Sequence, residues 1–220
     1  MDYYDISLPI KDGMLSWPSD PDVKIKQFKT IGKKGSGSNL VKMETGNHFG
    51  THFDAPKHVL KTGKGLEAFS LDTLIGRAHV VDVTGSTDEV TVADLEQSVP
   101  EGAKRVLLKT GNTTRRLLTK PFTEDYVALS GDGAAWLAAA GVKLVGIDYL
   151  SIQRRGSDGR AHTELLKHDI PVIEGLWLPD VPAGEYELIA LPLRMEKGDG
   201  APARVILKSL GAASDAGPAF

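Results

Sequence analysis

Cysteine is missing from all 220 residues. That excludes disulfides, thiolate metal sites and a cysteine nucleophile, and it is compatible with a reducing cytosol. A surplus of positive charge is missing too: 26 Lys and Arg stand against 29 Asp and Glu, for a net charge of −3, and the basic clusters Lys33-Lys34 and Arg154-Arg155 are short. Such a chain has no field to gather nucleic acid, and no nucleic-acid partner is expected. No apolar window reaches the roughly 20 residues that span a bilayer. The start, Met-Asp-Tyr-Tyr-Asp, lacks the basic and apolar regions of a signal peptide. A soluble cytoplasmic protein without a membrane partner is the expectation. Alternative catalytic machinery is scarce as well. There is no Gly-x-Ser-x-Gly elbow, and Gly131-Asp-Gly133 lacks the third glycine of a dinucleotide fingerprint. Gly32 to Ser38 does not follow a strand in Walker order, and nothing repeats at the fixed period of a solenoid.

What the chain does have is concentrated in residues 46–58, Gly-Asn-His-Phe-Gly-Thr-His-Phe-Asp-Ala-Pro-Lys-His. Three of the six histidines, His48, His52 and His58, lie here with one acid, Asp54. Imidazole and carboxylate together suit borderline divalent metals such as zinc and manganese. The four-residue spacing of His48 and His52 would suit a helix face, but Gly50, β-branched Thr51 and Pro56 oppose a helix. Ala55, preceding proline, is pushed toward extended geometry. The expectation is a glycine-bent loop leaving a strand, with several side chains turned toward one point. Taken singly, each histidine reads better as a polar surface residue; as a set with Asp54 they read as metal ligands.

Hydrophobic residues make up 41% and charged residues 25%, ordinary values for a globular protein, and the length suffices to bury a core without staples. Val23–Lys29 and Asn39–Thr45 alternate polar and apolar residues and predict strands flanking a hairpin loop. Ser70 caps a short helix through Leu74, and His79–Thr84 is strand-like, with His79 expected to have a structural partner. Thr91-Val-Ala-Asp94 has capping-box spacing and predicts a helix to Ser98, followed by a strand from Arg105 to Lys109 and a loop at Gly111-Asn-Thr-Thr. Ser130 caps a helix over Ala134–Ala140 that carries Trp136 and ends at Gly141; the buried strand Val142–Ile147 then closes on Asp148. Asp148 reads either as a group orienting a metal ligand or as a strand-end acid facing water. Strand, helix, strand in this order predicts a crossover unit in a strand-rich α/β protein. Tyr186–Pro192 and Arg204–Leu207 supply the last strands around a turn at Lys197-Gly-Asp-Gly, and the small, polar tail from Gly211 to Phe220 reads as loose. Trp17, in the proline-rich loop 16–21, reads either as a hydrophobic plug or as an aromatic wall for a planar substrate.

Residues 160–176 predict a short helix, a break at Pro171 and a strand. His162 and His168 fit a helix surface. Glu174 is an acid inside an apolar strand, and a buried acid needs a partner or a metal.

The run from His48 to His58 resembles the motif of the metal-dependent cyclase-like hydrolases, the family of bacterial kynurenine formamidases and isatin hydrolases. The family's second motif is a histidine opening a His-x-x-Leu-Leu helix, with a glutamate in an apolar strand twelve positions later; His162 and Glu174 match it. Asp199 to Arg204 resembles a further family run ending in Pro-x-Arg. The resemblance implies one domain over residues 1–220 of swivelling β/β/α type. It implies two divalent ions per subunit, zinc or else manganese: His48, His52 and Asp54 on one, Asp54, His162 and Glu174 on the other, and Asp54 shared. It implies that His58 shuttles the proton and Trp17 contacts substrate. The activity implied is hydrolysis of an amide C–N bond in a small molecule by a hydroxide held between the metals, N-formylkynurenine being the first substrate. Ring opening of a cyclic amide, imide or lactone is the alternative, and a non-catalytic metal-binding module is another. A homodimer or homotetramer is implied, in which a neighbour helps close the pocket. Ser19 replaces a glycine of the formamidase tryptophan loop, and Gln153-Arg154 stand where many formamidases have an acid and a proline.

Overall fold

The computed structural model describes residues 2–210, and the tail expected to be loose lies outside them. In chain order the elements are β1 (Tyr3–Asp5), β2 (Lys24–Lys29), β3 (Leu40–Glu44), β4 (His52–Asp54), α1 (Leu71–Leu74), β5 (Ile75–Val83), β6 (Glu89–Val90) and α2 (Val92–Ser98). There follow β7 (Arg105–Thr110), α3 (Gly111–Thr114), β8 (Ala128–Leu129), α4 (Gly131–Ala139), β9 (Leu144–Ile147), α5 (Arg160–Leu166), β10 (Val172–Glu174), β11 (Gly184–Pro192) and β12 (Gly200–Ser209).

Seven strands pair in the order β12-β11-β5-β7-β9-β10-β4, and β4 pairs back to β12, which closes the sheet into a barrel; β1 adds to the free stretch of β12. Strands β5, β7, β9 and β10 run parallel, with α2, α4 and α5 in the crossovers between them. This is the crossover arrangement that alternating strand and helix signals predict. Side chains of one strand point to opposite sides. Leu107, Leu144 and Ile173 therefore pack inside the barrel with Phe53, Leu188 and Val205, whereas Val106, Val145 and Val172 pack outward against Leu95, Leu137 and Leu165 of the helices. The fold is a strand-rich α/β domain. Among the described residues no helix is long and apolar enough to cross a membrane.

Caps form at α2 and α4 where the residues announce them, whereas the Ser70 side chain makes no capping hydrogen bond to α1. Thr91 and Asp94 make a reciprocal capping box, and the Ser130 hydroxyl accepts from Gly133 N–H at 3.0 Å. Four further expectations change. Residues 52–54 form strand β4 in the barrel rather than loop, because β10 and β12 both pair with them. Gly111–Thr114 forms one helical turn, and its cause lies far downstream in Asp148, which neither orients a metal ligand nor faces water. Buried Asp148 accepts from Thr110 N–H at 2.9 Å, Thr113 N–H at 3.0 Å and the Thr110 hydroxyl at 2.7 Å, pinning the end of β7 to the start of α3. Burial raises its pKa against those hydrogen bonds. Asp148→Ala strands these donors, and the expected cost is about 3 kcal/mol, read as a lower urea midpoint at unchanged m-value. Finally, His79 lies in β5 as expected, but its buried Nδ1 has no hydrogen-bond partner among the described residues.

Candidate metal centre

Alternation along β4 and β10 assembles the centre. Phe53 and Ile173 enter the barrel, which turns His52 and Asp54 of β4 and Glu174 of β10 to the other side, with Glu174 in register opposite His52. Helix α5 covers this side and brings in His162, while His48 precedes β4 and His58 ends a single 3-10 turn over Pro56–His58 just after it. Gly175, with φ +71°, makes the close approach possible, since a Cβ there would run into the Gly50 carbonyl.

Asp54 is fully buried, and His52, His162 and Glu174 nearly so. The two Asp54 oxygens face different imidazoles: Oδ1 lies 2.8 Å from His48 Nδ1 and 3.6 Å from His52 Nε2, and Oδ2 lies 3.2 Å from His162 Nε2. Glu174 Oε1 is 3.0 Å from His162 Nε2 and accepts from Ile152 N–H at 2.7 Å, while Oε2 is 3.5 Å from His52 Nε2. In two groups the donor atoms all lie within 4.8 Å of one another: His48, Asp54 and His58, and His52, Asp54 and Glu174. Asp54 belongs to both, as a shared ligand would. His52 lies between the two, 3.6 Å from the Asp54 oxygen that His48 also faces and 3.5 Å from Glu174 Oε2.

Burial alone would favour the neutral form of each group, but the neighbours outweigh it. Contacts with Asp54 and Asp199 push the His48 pKa up to about 9, and those with Asp54 and Glu174 push His162 up to about 10. His52 is raised by Glu174 and Asp54. Hydrogen bonds from His162 and His48 hold Asp54 well below the usual carboxylate range. Glu174 is lowered by His162 and His52, against both burial and the charge of Asp54.

These residues fit divalent metal ions. Each imidazole has one nitrogen turned to the carboxylates and the other backed by an acceptor: His48 Nε2 by Asp199 Oδ2 at 3.1 Å, His52 Nδ1 by the Gly50 carbonyl at 3.1 Å, and His162 Nδ1 by Gln153 Oε1 at 3.3 Å. Backing of this kind fixes the tautomer that offers a lone pair inward. Without metal, protons on His48 and His162 supply the positive charge between the carboxylates. Loading zinc at pH 7 is therefore expected to release about one proton from each, because their pKa values of about 9 and about 10 lie above the working pH. Titration calorimetry in buffers of different ionisation enthalpy reads that number directly; release of none would contradict the assignment of these imidazoles.

A cavity of about 470 Å³ opens over the centre, with Trp17, Phe49, Val59 and Leu150 on its apolar wall and His58 beside the buried acids. The Trp17 ring packs edge-on against Phe122 at 5.3 Å and Tyr126 at 6.4 Å and also lines the cavity. His58 stacks on His48 with ring centres 4.2 Å apart and is a third exposed. His168 is exposed and away from the cavity lining. Two contacts escaped sequence reading, Asp199 behind His48 and Gln153 behind His162. Arg154 turns away from the metal residues to bond Asp88 and the Glu124 carbonyl, with its guanidinium 5.4 Å above the Tyr126 ring.

The family described as "Putative cyclase" matches residues 4–154. A kynurenine formamidase of Erythrobacter litoralis is 37% identical over 208 residues, 94% of either chain. Among solved structures, a potential metal-dependent hydrolase with cyclase activity superposes with a TM-score of 0.81 at 32% identity, over 94% of this chain and 96% of the other. Isatin hydrolase A of Ralstonia solanacearum reaches a TM-score of 0.79 at 21% identity, over 94% and 91%, and shares the fold.

Proposed function

The chain belongs to the cyclase family of metal-dependent hydrolases, and from that premise we propose that it is an arylformamidase, converting N-formylkynurenine and water to kynurenine and formate in tryptophan breakdown. The observation that carries the reading is the convergence of three imidazoles and two buried carboxylates beneath a cavity with an aromatic wall.

His48, His52, Asp54, His162 and Glu174 would hold two divalent ions, zinc before manganese, with Asp54 shared. When bound, such ions acidify a water and polarise a carbonyl. The chain's own residues supply the rest. Trp17 and Phe49 offer aromatic faces to the aryl ring, orienting the formyl group toward the buried acids. His58 lies where a proton must move from water to the departing amine. Burial and the charges of His48 and His162 lower its pKa, against the pull of Asp54, so it is neutral and able to accept a proton at pH 7.

The test is hydrolysis of N-formylkynurenine and formanilide by protein stripped and reloaded with zinc or manganese. Metal bound stoichiometrically with no release of formate would end this reading. Opening of isatin or a cyclic imide under the same conditions would transfer it to the second one, which Gln153 and Arg154 favour by departing from the formamidase acid and proline. Trp17→Ala is expected to raise KM about tenfold with a smaller change in kcat, since about 1.4 kcal/mol of ring contact is lost from ground and transition states alike.

The proposal includes a cytoplasmic homodimer or homotetramer. Its support is the hairpin of β2 and β3, a two-stranded sheet of its own whose Phe28, Leu40, Val41 and Met43 stand exposed, as does Ile31 between the strands. An isolated hairpin is marginal in water, and a patch of this kind marks a contact surface. Light scattering should give a dimer or larger, and Val41→Asp should shift it toward monomer.

A further inference from the structure

Asp199 approaches the centre from outside the barrel sheet, and the backbone aims it. Its carbonyl accepts from Ala55 N–H at 2.8 Å, and the next residue, Gly200, lies in register opposite Asp54. A Cβ on Gly200 would collide with the His48 ring, so only glycine lets the turn come this close. Asn47 Nδ2 donates to Asp199 Oδ1 at 2.9 Å, which leaves Oδ2 facing His48 Nε2 at 3.1 Å. The same Oδ2 is 3.9 Å from His58 Nδ1, beyond hydrogen-bond reach, so the tie is to His48.

The acceptors behind the three imidazoles differ in kind. His48 is backed by a carboxylate, His52 by a backbone carbonyl and His162 by the neutral amide of Gln153. An anionic acceptor makes the imidazole a better donor to a metal than a neutral one does, and loss of such a partner typically costs 10–100-fold in metal affinity. We propose that Asp199 is a positioning residue that holds His48 with Nε2–H outward and Nδ1 inward, and thereby makes the ion position built on His48 tighter than the one built on His162. The inference rests on the metal-dependent reading above and adds an order of occupancy to it.

Zinc titration of the stripped full-length chain against a chromophoric chelator tests it. Wild type should bind two equivalents with separated constants. Asp199→Ala should weaken the tighter by roughly 10–100-fold and leave the weaker alone. Asp199→Asn, which keeps a neutral acceptor in place, should fall between them. Gln153→Ala should move only the weaker. Nitrogen-15 spectra of the zinc-loaded protein should show a His48 Nε2–H signal that shifts in Asp199→Asn, a signature that a merely structural role would not produce. If Asp199→Ala fails to fold, Asp199→Asn and the spectra decide. Unchanged constants in both Asp199 variants, a change confined to the weaker site, or outright loss of one equivalent (Asp199 then being a ligand itself) would overturn the inference while leaving the metal reading intact. A wild type that takes up fewer than two equivalents would remove both.

Discussion

Asp54→Asn should lose turnover by at least about 10³-fold together with the ability to hold a pair of zinc ions. The reason is geometric. One Asp54 oxygen faces His48 and His52 and the other faces His162, so an amide can present an oxygen to one side only and turns hydrogens on the other. Its missing charge also leaves the nitrogens facing it without their counterion in a site where no water compensates, since Asp54 is fully buried. Lewis-acid assistance contributes several kcal/mol to a hydrolysis, and each 1.36 kcal/mol is a decade in rate. Zinc at about a hundred times its dissociation constant stabilises a folded protein by roughly 2.7 kcal/mol. The wild type should therefore melt higher with zinc, and Asp54→Asn should show little of that shift. A variant that retains two zinc ions and normal turnover would refute the shared-ligand role.

Local signals made many of the elements around the barrel legible. Val23–Lys29 and Asn39–Thr45 alternate, Thr91 and Asp94 have capping spacing, and Ser130 precedes a run of alanines; each is decided within a few residues. Strand β4 was not legible, because three residues flanked by Gly50 and Pro56 become a strand only through partners at 172–174 and 200–202. The α3 turn is similar. Gly-Asn-Thr-Thr has poor helix propensity, and it is held by the Asp148 carboxylate just beyond strand β9. Closure of the sheet is equally nonlocal, since no residue of β12 advertises that it pairs with β11 and β1 along one part and β4 along another.

The centre was more legible than the fold around it, for a chemical reason. An acid such as Glu174 inside an apolar strand has to be compensated, and three histidines within thirteen residues are hard to account for singly. The twelve-residue spacing of His162 and Glu174 then linked the second cluster to the first by resemblance. Period-two alternation explains why His52, Asp54 and Glu174 share a side of the sheet, but it cannot say which imidazole lies nearest which oxygen. That needs the angle at which α5 crosses β10. Asp199 was missed because Lys-Gly-Asp-Gly already accounts for an aspartate as a turn former, so nothing local asks for a second role.

His58→Ala should lower kcat by about 10²–10⁴ while metal content stays at the wild-type value. His58 stacks on His48 and forms part of the cavity wall, yet it is the most exposed of the clustered imidazoles, with a third of its side chain in the open. Those features suit a group that exchanges protons with substrate rather than one locked in place. They also keep its removal compatible with folding, because no core cluster depends on it. Its lowered pKa, due first to burial, means that it stays neutral further into acid than a free imidazole, so the acid limb of kcat/KM belongs below the ordinary value of 6.5. A series of ring-substituted formanilides separates proton delivery from mere crowding of the cavity. A leaving aniline with a nitro group departs with little help, whereas an unsubstituted one needs a proton at nitrogen. The loss in His58→Ala should therefore be severalfold smaller for the nitro compound. Equal losses across the series would mean that His58 shapes the cavity and carries no proton.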